Sequence, residues 1–212
     1  MSYTTQMDAA RQGIITPEMK AVAASEHIAE DELRELIALG QVIIPANKNH
    51  KCLKPNGIGS RLRTKINVNL GTSRDWTDLD MEMEKVKSAV DMGAEAIMDL
   101  SSCGDTQKFR RKLTSECPAT IGTVPIYDAV VYYHKALKDI TAKEWLDIVR
   151  MHAEDGVDFM TIHAEHQGEL WVASPLKKQR FRLRDGLCME DESHSVAHYE
   201  VRVKDGVVQL RG

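Results

Sequence analysis

Residues able to contact a ligand stand at the ends of apolar runs along this chain: Asn67 and Asn69 in "KINVNL", Met98, Asp99 and Ser101 in "IMDLSS", Thr123 and Tyr127 in "TVPIYD", and His163 in "MTIH". Their types suit ligand binding. Side-chain amides, hydroxyls and a phenol exchange hydrogen bonds, an imidazole donates or accepts near neutral pH, and a thioether packs on a flat ring. Each also has a structural alternative: an asparagine caps the next helix, a strand methionine sits in the core, and a lone histidine is a satisfied structural residue.

Three other patterns carry less. "GIGSRLRTK", with Gly57 and Gly59 before Arg61, Arg63 and Lys65, has the glycines and cations of a phosphate cradle, but lacks the flanking context of a phosphate loop and reads as an ordinary loop. His194 and His198 are four apart, as helical zinc ligands can be, yet "HSVAHYEV" reads as a strand, on which that spacing is too wide for one ion. Cys103 follows a strand end without a nearby base and reads as a bystander.

The elements that must position the strand-end residues follow a rhythm. "TTQMDAARQG" to "ELIALG" gives short helices broken at Gly13 and Gly40, with Thr16 and Pro17 as an N-cap and first-turn pair. The apolar run Val42 to Ile44 precedes a loop-like stretch rich in Pro, Asn, Gly and Lys. From Lys65, strand and helix alternate. "KINVNL" is followed by a helix whose stripe is Leu79, Met83, Val86 and Val90, with Gly93 beyond it. Then come "EAIMDL", helix "TQKFRRKLTSE", strand "TIGTV", helical "YDAVVYYHKAL" and "AKEWLDIVRMHAED", and strand "DFMTIH". Units of roughly 30 residues fit a parallel sheet with crossover helices, in a β/α barrel or an open doubly wound sheet. Both folds bind ligands at the carboxyl ends of the strands. Beyond Ala164 the alternation becomes period two, with Asp205-Gly206 as a hairpin signal, so the tail should be antiparallel.

Composition narrows the classes. With 212 residues and 42% hydrophobic content the chain can bury a sizeable core. A net charge of −4 and a pI near 6.1 supply no cationic field, so neither nucleic acid nor an anionic membrane is expected as a partner. No apolar run reaches the roughly 18 residues of a membrane span, and "MSYTTQMDAARQG" lacks a signal-peptide core, so a cytoplasmic protein is expected. Cys52, Cys103, Cys117 and Cys188 are scattered, as reduced thiols are, and offer no metal site by themselves.

Six motifs, "ARQGIITPEM", "VIIPAN", "KINVNLGTS", "AIMDLSS", "IGTVPIYDA" and "GVDFMTIHA", stand in the order and near the spacing of the phosphomethylpyrimidine synthase family of thiamine biosynthesis. The resemblance covers about residues 4–164. It implies the first four βα units of a (β/α)8 barrel, with a leading helical and loop segment over 1–60, the half-barrel over 61–164 and a divergent antiparallel tail over 165–212. It implies a radical S-adenosylmethionine carbon–carbon lyase acting on 5-aminoimidazole ribonucleotide. The product would be the hydroxymethylpyrimidine phosphate precursor of thiamine. In the similar 5-hydroxybenzimidazole synthase branch it would be the lower ligand of a cobamide. "LSSCGDTQKFRRKL", where the commoner pattern has "DLSTG", leans toward that branch. Substrate contacts would fall on Asn69, Met98, Tyr127 and His163, which match in type and suit a nucleotide pocket. A homodimer is expected.

The resemblance also implies a 4Fe–4S cluster, S-adenosylmethionine and zinc. The family's C-x-x-C-x-x-x-x-C run is not in this sequence, and the family's "TIHAG" is replaced by "TIHAEHQGELWV". "RDGLCMED" is a faint echo of a family loop. A non-catalytic, truncated nucleotide-binding fragment of the family is therefore the second expectation. Four parallel strands alone would leave open sheet edges, which the tail or a second chain would have to cover.

Overall fold

A computed structural model of the chain describes residues 3–136, 139–161, 165–166, 169–173, 180–182, 187–188, 200–204 and 207–211. Contacts divide it into two compact units, 1–162 and 163–212. No helix among the described residues is long and apolar enough to cross a membrane.

The first unit opens with α1 (Gln6–Arg11), α2 (Pro17–Glu26) and α3 (Glu30–Ala38). Thr5 and Thr16 cap α1 and α2 by accepting hydrogen bonds from the Asp8 and Met19 amides, and Pro17 supplies the fixed φ of a first turn. Met19, Val22, Leu33 and Ile37 are fully buried in one cluster, which extends to Val42 and Ile44. The run at Val42 becomes a two-residue strand, β1 (Val42–Ile43), paired antiparallel with β2 (Ile58–Gly59).

A parallel sheet follows, in the order β3 (Asn67–Leu70), β4 (Ala96–Asp99), β5 (Thr120–Thr123) and β6 (Phe159–Met160). The connecting helices are α4 (Leu79–Asp91), α5 (Thr106–Glu116), and α6 (Pro125–Tyr133) with α7 (Ala142–Glu154). Val68 pairs with Ile97 and Ile97 with Ile121, so these three share a face. They pack with Val86 and Ala89 of α4 and with Phe109 and Leu113 of α5. On the same face Thr123 Oγ1 lies 2.9 Å from His152 Nδ1 of α7. The helices α4, α5 and α7 thus pack on one side of the sheet. The opposite face carries Asn67, Asn69, Ala96, Met98, Thr120, Gly122 and Phe159.

Several sequence expectations meet corrections. Asn67 and Asn69 are exposed because β3 is an edge of the sheet and their face carries none of these helices. The ladder starts at Asn67 rather than Lys65, since Glu95 takes the Ile66 amide and anchors this stretch. The helix over "YDAVVYYHKAL" stops at Tyr133, where His134 turns left-handed at φ 52°. The stripe of α4 includes a buried carboxylate, Glu82, which accepts from the Gly71 amide at 3.0 Å.

In the second unit, β7 (Glu165–His166), β8 (Glu169–Ala173) and β9 (Arg180–Arg182) form an antiparallel sheet, as do β10 (Glu200–Lys204) and β11 (Val207–Arg211). Lys204 pairs with Val207, on either side of the Asp205-Gly206 hairpin signal. Asp205 and Gly206 themselves, like His194 and His198, lie outside the described residues.

Candidate functional site

The carboxyl ends of β3 and β4 are locked to each other by the two loops that follow them. Ser102 N donates to Thr72 O at 3.0 Å, Thr72 N to Ser101 Oγ at 3.0 Å, and Thr72 Oγ1 to Cys103 O at 2.6 Å. Gly71 makes this possible. At φ +139°, a Cβ there would stand 2.5 Å from Ser101 N. Cys103 therefore acts through its backbone in this lock.

Asn69 and Met98 sit directly below, paired in register and so on one face. Asn69 is exposed and Met98 only 9% exposed, so an uncovered amide stands beside a recessed thioether. The row continues through Gly122 to Phe159. The Phe159 ring lies over Gly122: its Cζ is 2.2 Å from where a Cβ on that residue would stand. Tyr127, 41% exposed, comes from the first turn of α6, four residues after the end of β5. The Thr123 carbonyl accepts from Thr161 N at 2.9 Å, keeping the chain after β6 beside β5. His163 lies outside the described residues. The structure thus brings Asn69 and Met98 together, sets Tyr127 at the same end of the sheet, and leaves the histidine unplaced.

Asp99 and Thr123 belong to the helix-covered face. Asp99 is buried, accepts from Ser101 N at 2.9 Å, and has its pKa pushed up by burial to about 6. Arg110 of α5 is fully buried between two carboxylates, 3.0 Å from Asp128 Oδ2 and 3.0 Å from Asp155 Oδ2. His152 Nε2 is 2.9 Å from the same Asp128 oxygen, and Thr106 Oγ1 donates to the other. Burial pushes the His152 pKa down, helped by the Arg110 charge. Burial also works against the Asp128 carboxylate, but the His152 hydrogen bond and Arg110 outweigh it and hold that pKa low. The consistent state is a neutral His152 that donates from Nε2 to Asp128 and accepts the Thr123 hydroxyl at Nδ1. Sequence reasoning missed this network, because Asp128, Arg110 and His152 come from three helices. It also passed over Gly122 and Phe159, although a glycine inside the strand pattern "TIGTV" is a known sign of close approach.

The phosphate-cradle alternative for "GIGSRLRTK" does not hold. Gly59 is taken up in the pairing with Val42, Arg61 is paired with Glu32, Arg63 with Glu95, and Lys65 with the buried carboxylate of Glu26. A cavity of 560 Å³ between α4 and α5, lined by Met83, Val86, Val90 and Cys117, includes none of the four expected contact residues.

What the face of Asn69 and Met98 can do is bind. It offers an amide, a thioether and an aromatic ring in one row, with a phenol at the strand ends. Asp99, Asp128 and His152, which are buried and perturbed, lie on the other side.

Known proteins resemble most of this chain. Phosphomethylpyrimidine synthase of Alkaliphilus oremlandii (strain OhILAs) is 66% identical over 164 residues, 77% of this chain and 38% of the relative. That of Clostridioides difficile (strain 630) is 63% identical over the same shares, so the chain spans under two-fifths of the curated relatives it matches. Among solved structures, the E. coli protein NirD is 90% identical over 23% of this chain and 44% of that one, with a TM-score of 0.21. The sequence matches the radical SAM ThiC family over residues 5–183, reaching past Ala164, and the chain belongs to that family.

Proposed function

We propose that this chain carries the nucleotide-binding part of a phosphomethylpyrimidine synthase site, formed on the first four βα units of a (β/α)8 barrel. The ligand is 5-aminoimidazole ribonucleotide, and the reaction of the whole enzyme is its conversion to hydroxymethylpyrimidine phosphate, or in the sister branch to 5-hydroxybenzimidazole. The observation that carries the reading is the registered pair Asn69–Met98 on the helix-free face, within a chain of this family. Helices packed on one face support a barrel over a doubly wound sheet, whose consecutive helices cover both faces. Asn69 binds the ribose or phosphate through its amide, Tyr127 adds a phenolic hydrogen bond, Met98 packs against the ring, and His163 completes the pocket.

Family membership suggests a 4Fe–4S cluster that supplies the electron for radical chemistry, with S-adenosylmethionine; zinc is a further expectation of the resemblance. The residues present do not fit the metals. Among the described residues no group of three or more His, Cys, Asp or Glu side chains is placed to hold a metal ion. The described cysteines offer no thiolate set: Cys52 donates to the Cys117 carbonyl at 3.2 Å, and burial pushes both thiols up, away from the thiolate form a cluster needs. The chain's own share in the reaction is therefore to bind and orient the nucleotide.

Calorimetric titration of the chain with 5-aminoimidazole ribonucleotide tests this. Saturable one-to-one binding is expected, weakened about tenfold or more by Asn69→Ala and less by Tyr127→Phe. Absence of binding, or binding indifferent to both changes, would overturn it. Anaerobic incubation with iron, sulfide and S-adenosylmethionine should yield no deoxyadenosine from this chain alone.

A further inference from the structure

We infer that Phe159 sets the specificity of this pocket for a heterocycle, its ring laid over Gly122 serving as the floor on which the base stacks; the inference rests on the nucleotide-binding reading above. The row Asn69, Met98, Gly122, Phe159 crosses all four strands of the sheet in register. At ~4.8 Å per strand it spans about 14 Å, the length of a small ribonucleotide.

A phenyl ring standing upright on β6 would not reach the neighbouring strand. Here Cζ, Cε2 and Cε1 all fall within 2.7 Å of the position a Gly122 Cβ would take. The ring therefore leans along the sheet from β6 across β5, toward Met98. It is only partly buried, so part of its surface stays open to the helix-free face. The result is an apolar floor of thioether and phenyl with a hydrogen-bonding amide at one end. Such a floor favours a flat π system at the Phe159 end and the polar sugar or phosphate at the Asn69 end. Glycine at 122 is what permits it, because any Cβ would lift the ring off the sheet.

The experiment compares two ligands on the full chain, 5-aminoimidazole ribonucleotide and ribose 5-phosphate, which lacks the ring. Phe159→Leu should weaken the ribonucleotide about tenfold and leave ribose 5-phosphate unchanged, while Phe159→Tyr should retain both. Gly122→Ala should reproduce the selective loss; circular dichroism establishes that each variant is folded. If Phe159→Leu binds the ribonucleotide as tightly as the unaltered chain, or loses both ligands alike, the stacking floor is wrong while nucleotide binding stands. If the unaltered chain binds neither ligand, the nucleotide-binding reading itself fails and takes the floor with it.

Discussion

His50 and Asp158, 108 positions apart in the chain, form a buried ion pair under the parallel sheet, with Nδ1 2.7 Å from Oδ2. The other ring nitrogen, Nε2, lies 2.8 Å from the Cys117 carbonyl, so both nitrogens face acceptors and both must donate. Burial alone would lower the pKa of this imidazole, but the hydrogen bond and charge of Asp158 outweigh it and the pKa is raised. Asp158 also accepts from Ile121 N at 2.7 Å and Asn47 N at 2.9 Å. One carboxylate thus ties the loop after β1 to the start of β6 and to β5.

The sign of the pH effect follows. A group with a raised folded pKa stabilises fully below its unfolded value, ~6.5 for histidine, and loses that contribution as pH rises through the folded value. His50→Gln should therefore cost most stability at pH 5 to 6, and the gap to the unaltered chain should narrow above pH 7. Urea unfolding across this range checks it; a gap that widens with pH would contradict the imidazolium assignment.

Asp99 predicts a different window. Its folded pKa is about 6 against 3.8 in the unfolded chain, so the native state holds its proton more tightly and loses stability as pH rises from about 4 to 6. Asn at this position keeps an acceptor for Ser101 N without the charge. Asp99→Asn should gain on the unaltered chain by roughly 2 to 3 kcal/mol between pH 4 and 7, at order-of-magnitude precision. Thermal melts of both proteins at matched pH decide it, and parallel pH profiles would refute it.

Arg110 is the fixed charge of the helix-side network. Replacing it by Met leaves Asp128 and Asp155 without their buried counter-ion, which should cost about 3 to 5 kcal/mol by chemical denaturation. The partner of each carboxylate matters. Asp155 also reaches the exposed Arg111 at 2.7 Å, whereas among the described residues Asp128 keeps the neutral His152 and the Thr106 hydroxyl. Asp128→Asn in the Arg110→Met background should therefore recover more stability than Asp155→Asn. Equal recovery would mean that the two carboxylates are equivalent.

Much of this architecture was legible in the sequence. Helix α5 runs over the residues expected of it, and Thr16, Pro17 and Gly93 do what local backbone chemistry asks of them. Asn69 and Met98 were legible as strand-end residues and as family positions. Their shared face was not, because register is a tertiary property decided by which strands become neighbours. Glu82 and Arg110 were illegible for a related reason: a charged residue in a helical pattern reads as solvent-facing until a partner from another element is in place, and the same holds for Asp158 at the start of β6. The "GIGSRLRTK" cations show the converse, since basic residues that suggested a phosphate found Glu26, Glu32 and Glu95 instead.

The central claim, that the face of Asn69 and Met98 at the strand ends is the nucleotide site, is tested most directly by 1H–15N correlation NMR of the 212-residue chain during titration with 5-aminoimidazole ribonucleotide. The account predicts saturable shifts concentrated at residues 69–73, 98–103, 122–127 and 159–163, and little change on α4 and the outer side of α5. Shifts centred on the α4–α5 cavity, or none at saturating ligand, would contradict it.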